Sequence, residues 1–280
     1  MHYKPILFAV ILLIAGALLI AGCTSVPQDS TPAGTVAETP APGAAERSIL
    51  VYSGAGLKAP MQEIGQLFRQ KYGTNVQYTY GGSGMLISQM NLVRKGDVFI
   101  PGSTVEYAIA QKQGLVGSSL LVAYHVPVIA VQKGNPYHIQ SIRDFAQPGL
   151  KIALGDANAT AIGKAGTKMF NNYNITDAVE KNVVTRTPTI NELTILMNTG
   201  QADASLLTLD QINEDTMEAV SIPVSENVVL IVPVGLTTFT ENTKNAQEFM
   251  DFVTSEDGKA VFVKHGFPAY PDPHYAGVQQ

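Results

Sequence analysis

Leu121-Val122-Ala123-Tyr124-His125-Val126-Pro127-Val128-Ile129-Ala130-Val131 is a long β-rich run in the middle of the chain. Its neighbours on either side decide the fold. Upstream, from Ser48, short apolar strands alternate with helical stripes. Downstream a second alternating set begins, and a second long run, Val228-Val229-Leu230-Ile231-Val232-Pro233-Val234-Gly235-Leu236, follows it. Strands alternating with helices imply parallel sheet covered on both faces. Two long β runs flanking the middle third predict two crossings between two αβ lobes. The first lobe is then discontinuous, residues 48–124 and 235–280, and the second is residues 125–234.

The alternation is legible residue by residue. Residues 48–52 form a short apolar strand, and Pro60 opens a helix where its missing N–H costs nothing. Met61, Ile64, Leu67, Phe68 and Tyr72 fall at helical spacing. Residues 75–80 alternate as a strand, Met85, Leu86, Met90 and Val93 form the next helical stripe, 97–100 is a strand, and 106–113 is a helix ending at Gly114. In the middle third the pattern predicts strands at 151–154, 182–185 and 202–207, with helices at 161–173 and 190–198. Helices at 245–254 and 256–264 close the chain.

Composition bounds the function. Of 280 residues, 45% are apolar and 15% charged, enough for a core and too few charges for a disordered or polybasic chain. A net charge of -5 argues against nucleic-acid binding, which needs clustered Lys and Arg. The one cysteine, Cys23, excludes disulfide scaffolds and thiolate zinc sites. It stands directly after Lys4, an uncharged apolar stretch and Leu19-Ile20-Ala21-Gly22. That order describes a secretory signal, residues 1–22, and Cys23 at its end resembles the lipidated residue of a lipobox. Residues 23–47 read CTSVPQDSTPAGTVAETPAPGAAER, a Pro-, Ala- and Thr-rich linker that cannot bury enough surface to fold. The expected product is a body tethered by lipid at the extracytoplasmic face of the cell membrane. Asn158-Ala159-Thr160 and Asn174-Ile175-Thr176 are glycosylation sequons, Asn174 being the better placed for a surface acceptor.

Two glycine-rich turns carry the chemistry. Tyr52-Ser53-Gly54-Ala55-Gly56-Leu57-Lys58 precedes the Pro60 helix, and Tyr80-Gly81-Gly82-Ser83-Gly84 precedes the Met85 helix. A helix start offers unpaired N–H groups and a partial positive charge, glycines admit a ligand to that backbone, and serine adds a neutral donor. Two such turns at neighbouring strand ends make an anion site. Read structurally, Ser83 only caps its helix, and Thr189, in the capping box Thr189-Ile190-Asn191-Glu192, serves its own. Gly163-Lys164 lacks the spacing of a P-loop, and Met85 stands where GxSxG needs glycine. His125 and His265 lie in apolar sequence and read as hydrogen-bonded core residues. No acid, base and nucleophile assemble, so the reading is not an enzyme.

Val51-Tyr52-Ser53-Gly54-Ala55-Gly56-Leu57-Lys58-Ala59-Pro60-Met61, Gly82-Ser83-Gly84-Met85-Leu86-Ile87-Ser88-Gln89-Met90, Gly96-Asp97-Val98-Phe99-Ile100-Pro101-Gly102-Ser103 and Leu154-Gly155-Asp156-Ala157-Asn158-Ala159-Thr160-Ala161-Ile162-Gly163 together resemble the extracytoplasmic molybdate/tungstate-binding proteins of ABC importers. The likeness covers roughly residues 48–270. It implies a type II periplasmic-binding fold, two αβ lobes joined by two crossing strands. It also implies a tetrahedral oxyanion held in the cleft by neutral donors, and a membrane ABC permease as partner. Molybdate or tungstate would be the cargo, with no cofactor and no metal ligands, and the protein a monomer. By position the resemblance assigns ligand donors to Ser53, Gly54, Ala55 and Gly56, to Ser83 and Gly84, to Ala161 and Ile162, to Thr189 and Ile190, and to Thr208. Gly56 stands where the family has Ser and Thr208 where it has Tyr, which leaves the oxyanion open. Lys58, Lys164 and Arg186 are candidate cations of a kind usually solvated. The alternatives are a same-fold binder of sulfate, of ferric iron through Tyr52, Tyr80 or Tyr107, or of a small organic anion, and a tethered extracellular enzyme.

Overall fold

The computed structural model describes residues 47–278. The signal segment, Cys23 and all but the last residue of the linker lie outside them. Among the described residues no helix is long and apolar enough to cross a membrane.

The chain begins with β1 (Ser48–Gly54), a 3-10 turn (Ala55–Leu57) and α1 (Lys58–Tyr72). β2 (Asn75–Gly81), α2 (Ser83–Val93), β3 (Val98–Ile100) and α3 (Thr104–Lys112) follow. β4 (Val116–His125) then runs to Val126, and β5 (Pro127–Gln132) leaves it. A 3-10 turn (Ile142–Ala146) leads to β6 (Ile152–Gly155), α4 (Ala161–Asn172), α5 (Thr176–Glu180), β7 (Val183–Thr187), α6 (Ile190–Asn198) and β8 (Ala204–Thr208). A short turn (Leu209–Gln211), β9 (Met217–Ser221), β10 (Leu230–Thr237), α7 (Thr243–Thr254) and α8 (Glu256–Lys264) complete the order.

Two five-stranded sheets result, β2-β1-β3-β10-β4 and β7-β6-β8-β5-β9. Neither is purely parallel, contrary to the alternation in the sequence. β1, β2 and β3 are parallel, as are β6, β7 and β8. The strands of the long runs enter antiparallel: β10 against β3 and β4, β5 against β8 and β9. A strand that arrives from the other lobe has no crossover helix to reverse it, so it joins in the opposite sense. The first run is therefore two strands, split at Val126 where the chain changes sheets. β10 enters the first sheet at Leu230, earlier than residue 235. The pattern also missed α5 and β9, which are short and lack a long apolar stripe.

Alternation explains the packing of the first lobe. Ile49, Val51, Val98 and Ile100 face a core shared with Met61, Ile64 and Phe68 of α1 and with Phe249 and Phe262 of α7 and α8. The intervening Tyr52 and Phe99 face the opposite side, onto Leu86, Ile87 and Met90 of α2 and Tyr107 of α3. The buried stripe of α2 is thus Leu86, Ile87 and Met90, whereas Met85 and Val93 are exposed. The second lobe has its own core, in which Ile162, Met169 and Phe170 of α4 meet Leu193 and Met197 of α6 across β6 and β8.

Both chain crossings lie side by side. Asn227, just before β10, is buried and donates from Nδ2 to the carbonyl of Pro127 at 2.9 Å. Val126 accepts from Leu209 N at 2.9 Å, which pins the start of β5 to the end of β8. Loss of the Asn227 donor leaves a buried carbonyl short of a partner, which costs about 1–3 kcal/mol. The Asn227→Ala variant should therefore unfold at lower urea with an unchanged m-value, a shift read by equilibrium denaturation.

Candidate functional site

The carboxyl ends of the parallel strands in both sheets face one another, the place where open α/β sheets take their ligands. β1 delivers the 54–57 turn, β2 the start of α2, β6 the start of α4 and β7 the start of α6. These four converge on one small cavity of about 40 Å³.

Helix geometry leaves the first N–H groups of each helix without an intrahelical acceptor. Threonine caps serve the third of these in the second lobe. Thr160 Oγ1 accepts from Gly163 N at 3.0 Å and donates to Asp156 O at 2.9 Å. Thr189 Oγ1 accepts from Glu192 N at 3.3 Å and donates to the Glu192 carboxylate at 2.9 Å. The caps spend both hydroxyls, so the groups left to face the cavity are the backbone N–H of Ala161 and Ile162 and that of Ile190. In the first lobe, the cap position of α2 is Gly82 and not Ser83. Ser83 Oγ instead accepts from Gly102 N at 3.4 Å, which leaves its proton free to donate into the cavity. The wall is a set of donors contributed by both lobes, each near the positive end of a helical segment.

Three of the sequence-assigned donors lie off this wall. Ser53 is fully buried beneath it, its hydroxyl donating to Gly54 O at 3.3 Å. Gly84 N is spent on Ala159 O at 3.2 Å. Thr208 stands one layer back, 2.7 Å from His125 Nε2. Gly54, Ala55, Gly56, Ser83, Ala161, Ile162, Thr189 and Ile190 are brought together around the cavity. The candidate cations are not. Lys164 is paired at 2.8 Å with Glu106, Arg186 is paired with Glu180, and Lys58 lies exposed on an open groove beside the cavity. The tyrosines considered for iron do not gather there. Tyr52 donates to Lys95 O at 2.9 Å and Tyr107 to Ser118 O at 3.2 Å, and burial pushes the Tyr80 and Tyr107 phenols well up, away from phenolate.

His125, read from the sequence as a hydrogen-bonded core residue, is buried and hydrogen-bonded, and it also borders the cavity. It ends β4, is 4% exposed, and forms part of the cavity wall. A lone polar residue in an apolar run, immediately before the crossing at Val126, was the available signal. His265, by contrast, is a half-exposed partner of Glu63 at 2.8 Å, not a core residue. The Lys264 ammonium, with the His265 bond second, holds the Glu63 carboxyl below its usual range.

The lobes touch through small residues, an ion pair and a side-chain hydrogen bond. Glu106 of α3 is fully buried and takes both Lys164 of α4 and the Ser103 hydroxyl. Asn191 Nδ2 donates to Ala55 O at 3.1 Å. Gly82 and Gly84 are required by approach: a Cβ on Gly82 would lie 2.3 Å from Pro188 O, and one on Gly84 2.4 Å from Asn158 O.

Comparison with known proteins agrees with this geometry. Residues 49–268 match the model of the bacterial extracellular solute-binding proteins, and the chain belongs to that family. A binding protein of Haemophilus influenzae is 31% identical over 223 residues, 78% of this chain and 90% of its own. The molybdate-binding protein ModA of Mycobacterium bovis is 29% identical over 263 residues, 91% of this chain and 95% of its own. Among solved structures, the sulfate-binding protein SubI of Mycobacterium tuberculosis superposes with a TM-score of 0.71 at 18% identity, covering 82% of this chain and 89% of that one. The periplasmic molybdate-binding protein of Azotobacter vinelandii does so with a TM-score of 0.65 at 18% identity, covering 78% and 98%. The fold is the type II periplasmic-binding fold.

Two variants separate donor from contact. Ser83→Ala removes one hydroxyl donor to a charged ligand, so anion affinity should fall roughly tenfold to a hundredfold. Unliganded stability should fall by no more than about 1–3 kcal/mol, because the buried Gly102 N–H loses its acceptor while the Gly82 cap position is untouched. Gly84→Ala should leave the unliganded melting temperature unchanged or slightly higher, alanine being the better helix former. Its affinity should drop at least about tenfold, because the methyl meets a carbonyl of the other lobe only when the lobes close. Calorimetry and thermal denaturation read both.

Proposed function

We propose that this protein is the extracytoplasmic binding component of an ABC importer. It captures one tetrahedral oxyanion, molybdate or tungstate, between the lobes and delivers it to a membrane permease. Residues 48–125 and 230–280 act as one moving body and 127–229 as the other, as a monomer held to the outer face of the membrane by a lipid on Cys23. The observation that carries this reading is the convergence of four helical N-termini, without a lysine or arginine, on a cavity of about 40 Å³. A single water needs roughly 10–15 Å³, so the space suits an ion of a few heavy atoms and not an amino acid or a sugar phosphate. A relative named for molybdate along nearly its whole length supports the choice of anion.

The mechanism follows from the division of donors. Each lobe alone offers half a coordination shell. The anion bridges the 54–57 turn and Ser83 to Ala161, Ile162 and Ile190, and only the closed form makes both sets of bonds. Closure bends the chain at Val126 and beside Asn227, and the Glu106–Lys164 pair forms across the seam. The permease then reads the closed shape. Donor-only walls oppose hydrogen phosphate, whose own proton would find no acceptor.

Sulfate is the second reading, since a structure titled for sulfate shares the fold. An enzyme is disfavoured by one detail: Ser83 and His125 both reach the cavity, yet no hydrogen bond joins them. Calorimetry with molybdate, tungstate, sulfate and phosphate decides among binders. Molybdate and tungstate should bind at least about tenfold tighter than phosphate. At a hundredfold excess over Kd they should stabilise the fold by about 2.7 kcal/mol. Sulfate binding tighter than both would replace the molybdate reading with the sulfate one.

A further inference from the structure

The imidazole of His125 is held from behind. Nε2 lies 2.7 Å from Thr208 Oγ1 and 3.2 Å from Asp210 Oδ1, and the Asp210 side chain is 3% exposed. The other Asp210 oxygen accepts from Gln211 Nε2 at 2.6 Å. The Thr208 hydroxyl can donate to Nε2 or accept from it, and the Asp210 carboxylate beside it favours the form with a proton on that nitrogen. The opposite nitrogen, Nδ1, is buried and has no hydrogen-bond partner. The ring borders the cavity: a Cβ built on Gly56 would be 3.4 Å from Cε1 and 3.7 Å from Nε2, and one on Gly102, also a lining residue, 4.0 Å from Nδ1. Buried ring nitrogens are rarely left unpaired, and one beside a small cavity lined by donors calls for a ligand there.

The charge balance says in which form. Asp210 is buried, and among the described residues its ion-pair partner is His125. The other elements against the ring bring no charge to it: Thr208 from β8, Gly56 and Gly102 from the two turns, and Phe267, whose ring is 5.1 Å away. Glu106 and Lys164 are tied to each other, and His265 to Glu63. An oxyanion without a proton offers only acceptors, so it meets Nδ1 favourably only when that nitrogen carries a hydrogen.

We propose that His125 is a ligand-binding residue whose Nδ1–H donates to the bound oxyanion, so that capture of the dianion takes up a proton on His125. This rests on the oxyanion reading of the cavity. With Nδ1 protonated every group on the wall is a donor. With Nδ1 neutral its lone pair faces the ligand, repelling a bare dianion and accepting the hydroxyl of a protonated one. The sign follows: a group that gains a proton on binding gives affinity that is full at low pH and lost as pH rises. Preference for molybdate over phosphate is lost in the same direction.

The test is calorimetry of molybdate binding from about pH 6 to about pH 8.5, in two buffers of different ionisation heat so that protons are counted. Wild type should bind roughly tenfold to a hundredfold more weakly at the upper end and take up a fraction of a proton per anion in between. His125→Gln should bind more weakly at low pH, with an affinity that no longer depends on pH and no proton uptake. Should that variant unfold, proton uptake by wild type still decides, with the His125 ring nitrogen shifts followed by NMR in the free and bound states: Nδ1 should gain its hydrogen on binding. Molybdate binding that is independent of pH, or proton uptake that persists in His125→Gln, overturns the role of His125 and leaves the oxyanion reading standing. Wild type that binds none of the four anions at any pH overturns both.

Discussion

Unpaired backbone donors at helix starts are the constraint on which the rest of this molecule depends. Each of the helical segments that begin at Ala55, Ser83, Ala161 and Ile190 leaves N–H groups that its own turns cannot satisfy. In a water-filled open cleft those groups are hydrated. The cavity between the lobes holds about 40 Å³, too little for bulk water. An acceptor must then enter with them, or closure costs the desolvation of every one. A compact anion with four acceptor oxygens meets that demand from both lobes at once, and the aligned peptide dipoles favour its charge. The absence of lysine and arginine from the wall is part of the same logic. Neutral donors can be dehydrated and re-formed at less cost than a buried cation, and they leave the bound ion free to depart when the lobes open.

The surrounding structure serves that geometry. Mixed sheets arise because the two crossing strands arrive antiparallel, and this places the carboxyl ends of three parallel strands from each lobe against one another. Threonines 160 and 189 are consumed by their own helices, and that consumption fixes the orientation of the N–H groups beside them. The glycines at 82 and 84 act by absence, since only a backbone without side chains lets α2 sit against the carbonyls of Asn158 and Pro188.

Much of this was legible in the sequence. Two β runs around a middle third gave the lobes, and glycine-rich turns before helices gave Gly54 to Gly56 and Ser83. Alternation could not tell parallel from antiparallel entry, because a crossing strand has the same apolar pattern in either sense. Family position placed Ser53, Gly84 and Thr208 among the donors; Ser53 and Gly84 adjoin wall residues in sequence, Thr208 adjoins His125 in space, and none of the three lines the cavity. Ser53 is buried with its hydroxyl on Gly54 O, Gly84 N is spent on Ala159 O, and Thr208 is held behind the imidazole. The apolar context of His125 reported its burial, but a buried histidine on a core wall and one on a cavity wall read alike in sequence. Only the Thr208 and Asp210 contacts on one nitrogen, and none on the other, separate them.

The central claim is that donors from both lobes hold one anion in this cavity. Crystals grown with tungstate test it most directly, because tungsten scatters anomalously and its position needs no interpretation of side chains. The expected result is a single strong peak inside the cavity, its oxygens about 2.7–3.2 Å from Ser83 Oγ and from the N–H groups of Ala161, Ile162 and Ile190. A peak in the open groove beside Lys58, or contacts from one lobe alone, would contradict it.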